Sequence, residues 1–237
     1  MSDFKQLLST NLDTLNNQQL FTLIEGLENC ISIKKHNGKY DADLNTQVKL
    51  LKNHLQEACK FYLINRFGNS DIIVKMNLLF PSYINGIAND HIIIHCAPID
   101  YVPYCVFYFI RLVDNWKFGL FHRNAGHVKQ VKVEGDFKPL VFQEYHKAFP
   151  HVEYSLGYAG RPGGPGFYIS TRDNTINHGP GSQKSTTGEA DGCFGIVYDE
   201  SSKLVIERLK KMQGMNGNAG FITNKDNCVK ILNYEFI

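Results

Sequence analysis

A helical N-terminal region followed by a mainly β domain is the fold class that the sequence predicts, and three observations predict it. Apolar residues recur at helical spacing through the first 69 residues. At residue 70 the period switches to two. Beyond it, short apolar pieces alternate with Gly, Pro and Asn loops, and the glycines and prolines concentrate between Gly157 and Gly195. The division expected is a helical extension over residues 1–69 and a β domain over 70–237.

The elements follow in order. Phe4, Leu7, Leu8, Leu12 and Leu15 fall at helical spacing, and Leu20, Leu23, Ile24, Leu27 and Ile31 repeat the pattern. His36-Asn37-Gly38-Lys39 reads as a turn, and a third helix starts near Asp43 as its N-cap. Its apolar positions Leu44, Val48, Leu51, Leu55, Ala58 and Tyr62 make a heptad-like seam of under three heptads, too short to argue a coiled coil. The seam fits a helix packing within its own domain, with an oligomer contact as the alternative. Ile72, Val74, Met76, Leu78 and Phe80 alternate as a strand. Asn85-Gly86 and Asn89-Asp90 mark a turn before a second strand from His91 to Cys96. For Tyr104 to Val113, after Val102-Pro103, a helix and a strand both fit.

Composition bounds the function classes. The chain has 237 residues, 43% hydrophobic and 12% aromatic, enough for a real core and incompatible with wholesale disorder. Lys and Arg number 25 and Asp and Glu 23, so the formal charge is +2, without the basic surplus of a dedicated nucleic-acid binder. Residues Met1 to Gln6 lack the basic and apolar regions of a signal peptide, and the longest apolar run, Tyr101 to Ile110, is broken by Pro103. A bilayer span takes about 20 apolar residues, so no membrane association is expected. The six cysteines are scattered without a CxxC pair, which reads as free thiols in a reducing, cytoplasmic compartment. Frequent asparagine, with Lys and Ile, reflects an AT-rich genome of the kind found in protists, some bacteria and large DNA viruses; in the last case a virion component is the alternative.

Several motifs fail on chemical grounds. Gly179-Pro180-Gly181-Ser182-Gln183-Lys184-Ser185-Thr186 lacks the glycine directly before Lys184 and the leading strand of a phosphate loop. Gly160-Arg161-Pro162-Gly163-Gly164-Pro165-Gly166 carries prolines that prevent the helix a dinucleotide fingerprint needs. His91 and His95 share a strand face without a third metal ligand, and no GxSxG elbow occurs.

One collinear set of segments carries more information. Phe121-His122-Arg123 is followed by Gln130, then by Tyr154-Ser155-Leu156-Gly157-Tyr158-Ala159-Gly160, by Phe167-Tyr168-Ile169-Ser170-Thr171 and by Cys193-Phe194-Gly195-Ile196-Val197. This order resembles the cyclophilin family of peptidyl-prolyl isomerases. Ala97 through Val102-Pro103 looks like that family's strand-to-helix junction, Leu204 to Met212 is similar to its penultimate helix, and Cys228 to Ile237 to its closing strand. The resemblance covers residues 70 to 237 and implies a closed antiparallel β-barrel of about eight strands with capping helices. It makes Arg123 the catalytic arginine and Gln130 a substrate-binding glutamine. It sets Tyr168 where the family has the phenylalanine that floors the proline pocket, beside Phe167, and sets His127 and Val128 where the family has a phenylalanine and a methionine. Tyr158 replaces an asparagine whose backbone binds the substrate peptide, and Gly166 replaces a glutamine.

The departures lie between Thr171 and Phe194. The family's tryptophan, pocket leucine and histidine have no clear equivalents there, and the only tryptophan, Trp116, precedes the Phe-His-Arg triplet. Asn177 to Gly192 is instead polar and glycine-rich around His178-Gly179-Pro180-Gly181. The pairing of this segment with Arg161-Pro162-Gly163-Gly164-Pro165 is similar to one in divergent cyclophilin-like proteins of algae and other protists.

The chemistry that the resemblance implies needs no metal, cofactor or nucleophile. Rotation about an Xaa-Pro bond faces a barrier of roughly 18–20 kcal/mol. An apolar pocket must grip the proline ring while a donor meets the imide nitrogen as it pyramidalises, so that the bond strengthens only in the twisted state. A permanently charged guanidinium suits that role, which falls to Arg123. The expected partner is a proline-containing peptide or protein, with a homo-oligomer through the N-terminal helices as a further expectation. The alternative is a barrel that has lost catalysis and serves as a peptide-binding or structural assembly protein.

Overall fold

The computed structural model describes residues 6–37, 42–161, 163–182, 189–214 and 218–237. Phe4, the Gly38-Lys39 part of the expected turn, Pro162 and the stretch Gln183 to Thr186 lie outside them. The chain divides into two compact units, Met1–Ser70 and Asp71–Ile237.

The first unit is built on two long helices, α1 (Asn17–Asn37) and α2 (Ala42–Phe67). A reciprocal capping box opens α1: Gln19 N donates to Asn16 Oδ1 and Asn16 N to Gln19 Oε1, both at 3.0 Å. Leu20, Leu23, Ile24, Leu27 and Ile31 bury one face of α1, and Leu55, Ala58, Cys59 and Leu63 one face of α2. Cross-links run antiparallel: Asn65 Nδ2 donates to Leu15 O at 3.2 Å, Phe21 meets Tyr62 at 6.4 Å, and Lys34 Nζ donates to Gln47 Oε1 at 2.6 Å. Three expectations need correction. The residues ahead of α1 are not one helix: residues 6–8 are helical, and Leu12–Thr14 form a separate 3-10 turn. Asp43 lies inside the first turn of α2 and not at its cap. Only Leu55 and Ala58 of the six seam residues are buried, because the buried stripe continues through Cys59 and Leu63.

The second unit is a closed antiparallel eight-stranded β-barrel with helices, the architecture that the resemblance implies. Its strands are β1 (Ile73–Leu79), β2 (Asn89–Cys96), β3 (Phe118–Asn124), β4 (Val128–Glu134), β5 (Ser155–Tyr158), β6 (Phe167–Ser170), β7 (Cys193–Ile196) and β8 (Lys230–Phe236). Around the barrel they run β1-β2-β7-β5-β6-β4-β3-β8, with β8 closing on β1. β1 alternates as read, burying Val74, Met76 and Leu78. Asn89-Asp90 opens β2 and does not form the turn before it.

The ambiguous segment is a helix, α3 (Pro103–Asp114). Proline at its first position tolerates the missing N–H. Val102 makes no side-chain cap, and Glu144 supplies one from afar, accepting Cys105 N at 2.6 Å. Ten of its twelve residues are buried, so its sequence is a nearly unbroken apolar run into which a helix and a strand both fit. Phe109 packs on Phe194 at 4.6 Å, and Phe194 on Tyr158 at 4.5 Å. A short turn, α4 (Thr175–His178), follows β6, and α5 (Glu200–Leu209) follows β7, starting earlier than the expected Leu204 and capped by Asp199, which accepts Ser202 N at 2.8 Å. All six cysteines are free.

Candidate functional site

Across three neighbouring strands the backbone register sets Arg123 opposite Gln130, and Gln130 opposite Tyr168. The row continues to Gly157 on β5 and Cys193 on β7. The first pairing depends on a bulge. Phe121 pairs with Val131 and Arg123 with Gln130, so His122 is an extra residue in β3. Strict alternation would turn Arg123 to the buried face of Phe121; the bulge turns it to Gln130. Arg123 Nη1 donates to Gln130 Oε1 at 3.1 Å, and Nε donates to Ala219 O at 2.8 Å. Its guanidinium lies 5.0 Å from the Phe221 ring centre.

Tyr168 forms a small apolar cluster with Ala125 and Val128, against which Ala159 packs. Val128 and Tyr168 are only 2% and 3% exposed, so this floor is largely covered. The Tyr168 hydroxyl donates to Asp191 Oδ2 at 2.9 Å. The same oxygen accepts from His178 Nδ1 at 2.6 Å, and Oδ1 accepts from Arg161 Nε at 3.1 Å. His151 Nε2 donates to the Asp191 carbonyl at 2.8 Å, which leaves Nδ1 as an acceptor 3.4 Å from the Tyr168 hydroxyl. The His178 ring lies 4.6 Å from that of Tyr168. A buried carboxylate with several donors thus sits behind the ring expected to floor the pocket.

The electrostatics follow from this packing. Burial opposes the charge of Asp191, but the bonds from His178 and Tyr168 outweigh it and hold the carboxyl below its usual range. Burial pushes His151 down to about 4, so the ring is neutral. Burial, and then the Asp191 charge, hold the Tyr168 hydroxyl protonated well above its ordinary value. His127 is lowered by burial first and then by its neighbours His178, Arg172, Arg123 and Lys129.

Of the residues singled out from the sequence, Arg123, Gln130, Val128 and Tyr168 gather on these strands. His127 stands beside them, half-buried, its ring 5.9 Å from that of His178. Its carbonyl is gripped by Thr171 N at 3.0 Å and Asn174 Nδ2 at 2.9 Å. Phe167 and Tyr158 turn their side chains away from this row. Both side chains are fully buried on the aromatic core, Phe167 at 5.9 Å from Phe194, because period-2 alternation turns Phe167 away from the face of Tyr168. The Tyr158 hydroxyl donates inward, to Cys105 O at 2.8 Å. Gly166 is half-buried, and its carbonyl accepts Ala159 N at 2.9 Å.

No role is read from the sequence for His151 or Phe221; Gly157 enters only as one member of a matched segment, and His178 and Asp191 only within a polar glycine-rich loop. Gly157 carried a legible clue, a glycine inside a strand. A Cβ there would fall 2.7 Å from the Tyr168 hydroxyl and 2.6 Å from His151 Cε1. Among the described residues, no group of three or more His, Cys, Asp and Glu side chains is arranged to hold a metal ion. His91 is exposed, and His95 stacks edge-on against Tyr198 at 5.1 Å. No described helix is long and apolar enough to cross a membrane.

The fold and this geometry define a class: a closed eight-stranded antiparallel barrel bearing an Arg–Gln–Tyr row backed by a buried carboxylate. Neither the models of known protein families nor the curated proteins compared with the chain match it.

Proposed function

We propose that the chain is a divergent cyclophilin-type peptidyl-prolyl cis-trans isomerase acting on Xaa-Pro bonds of polypeptides. The observation that carries this reading is the Arg123–Gln130 hydrogen bond at 3.1 Å, one strand away from Tyr168. Gln130 bonds the guanidinium and pairs across the next strand with Tyr168, which belongs to an apolar cluster with Ala125 and Val128. A proline ring held against that cluster brings its imide nitrogen to Arg123. The arginine N–H bonds the nitrogen most strongly when the amide is twisted, which lowers the barrier without covalent chemistry. His127 makes one wall polar and weakens the grip on the ring. The test is exchange between cis and trans forms of a short Xaa-Pro peptide, followed by NMR. The chain should exceed buffer, and Arg123→Ala should abolish the excess. A folded sample with no acceleration sinks the reading.

A second reading is favoured by the covered floor: with Val128 and Tyr168 at 2% and 3% exposure, little apolar surface is offered to a proline ring. It makes the barrel a peptide-binding or assembly module of impaired catalysis. Self-association then falls to the helical unit, which exposes Ile33 (59%) and Leu50 (63%). Ile33→Glu with Leu50→Glu should lower the mass of the full chain in solution; an unchanged mass removes the helices from assembly.

A further inference from the structure

Phe221 is a large apolar residue that is 41% exposed, so core burial does not account for its position. It pairs with Arg123 as an isolated antiparallel bridge, and the next residue continues the contact, Ile222 N donating to His122 O at 2.8 Å. The approach is close. A Cβ on Gly220, whose φ is +83°, would fall 2.7 Å from Asn124 O and 3.0 Å from Ala125 N. Ala219 takes a left-handed φ of 52°, and its carbonyl accepts Arg123 Nε at 2.8 Å. The guanidinium is therefore held by a carbonyl at Nε, by Gln130 Oε1 at Nη1, and by the Phe221 ring 5.0 Å from its carbon.

We propose that Phe221 is a positioning residue for Arg123: its ring face, with the Ala219 carbonyl, fixes the plane of the guanidinium that meets the substrate's imide nitrogen. This rests on the isomerase reading above. An arginine side chain has several soft torsions, and one free to rotate must be ordered during each turnover. A ring face against the cation and a carbonyl at Nε order it beforehand, and among the described residues Nη2 and the second N–H of Nη1 have no acceptor, which leaves them for the peptide. The contribution comes from the π face and not from bulk, so an aliphatic residue of similar volume does not replace it.

The experiment uses the full chain with Phe221→Leu and Phe221→Tyr. It reads two quantities, the Arg123 Nε–H NMR signal, assigned by its loss in Arg123→Lys, and kcat and KM for a short Xaa-Pro peptide. In the unmodified chain the Nε–H signal should be shifted upfield by the ring and exchange slowly with solvent. Phe221→Leu should remove the upfield shift, speed the exchange and lower kcat by roughly three- to tenfold at unchanged KM. Phe221→Tyr should keep all of these near their original values. Unchanged kcat and Nε–H exchange in Phe221→Leu overturn the proposal, as does equal loss in Phe221→Tyr. A chain that never accelerates exchange overturns the isomerase reading, and this role with it. The Nε–H signal then separates that failure from a Phe221 that fails to order the guanidinium.

Discussion

Arg123 stands opposite Gln130 because His122 is an extra residue in β3, and without that bulge the arginine would share the buried face of Phe121. The result is a half-buried charged side chain in a strand whose Gly119, Leu120 and Phe121 are buried. Their contact, Nη1 to Oε1 at 3.1 Å, is a hydrogen bond to a charged donor.

Gln130→Ala should therefore lower kcat/KM for an Xaa-Pro peptide by about tenfold, the scale of one such bond, while the fold stays intact. Peptide exchange kinetics beside a thermal melt check this. An unchanged kcat/KM would mean that Gln130 does not orient the arginine.

Gly157→Ala should displace Tyr168, since the new methyl would lie 2.7 Å from its hydroxyl and 2.6 Å from His151. The cost expected is about 1–3 kcal/mol, typical of a methyl forced into a packed interior. Urea denaturation measures it, and the near-ultraviolet tyrosine signal should change with it.

Asp191→Asn should cost more. It removes the charge that Tyr168, His178 and Arg161 all address, in a side chain 2% exposed. Deleting one member of such a buried set costs roughly 3 kcal/mol, because the partners remain buried. A loss well under that, read from the denaturation midpoint and slope, would mean that the network relaxes around the amide.

Stability should fall with acid. His151 is neutral in the fold, pushed down to about 4 from an ordinary 6.5, so below 6.5 the unfolded chain binds the extra proton and the fold does not. Stability present above 6.5 thus declines as the pH drops toward 4, and this group's share stops falling once the folded protein protonates too. Asp191, held below the usual carboxylate range, adds a further loss at lower pH. Urea midpoints between about pH 7 and about pH 5 should decline in the unmodified chain and decline less in His151→Gln.

How much was legible varies with the distance over which the cause acts. Leu20 to Ile31 could be assigned to one helix face, and Val74, Met76 and Leu78 to one strand face, because their spacing within a few residues carries the information. Tyr104 to Val113 could not be assigned, because a short and nearly unbroken apolar run fits a buried helix and a buried strand alike. Phe167 and Tyr168 were read together from the resemblance, yet alternation sends the first into the core and the second to the face of Gln130.

The resemblance pointed to Arg123 and Gln130, whereas the residues by themselves determined the change from helical to strand texture near residue 70 and the strands over Ile72 to Phe80 and His91 to Cys96. Those follow from local periodicity and turn chemistry, which act over a few bonds. Only the tertiary structure decided which way Arg123 points and what stands behind Tyr168. The bulge at His122 is a matter of register between two strands. The carboxylate of Asp191 reaches Tyr168 from 23 positions away, and Ala219 reaches Arg123 from 96. Contacts of that range leave no period in the chain, since closing the barrel is what brings them together.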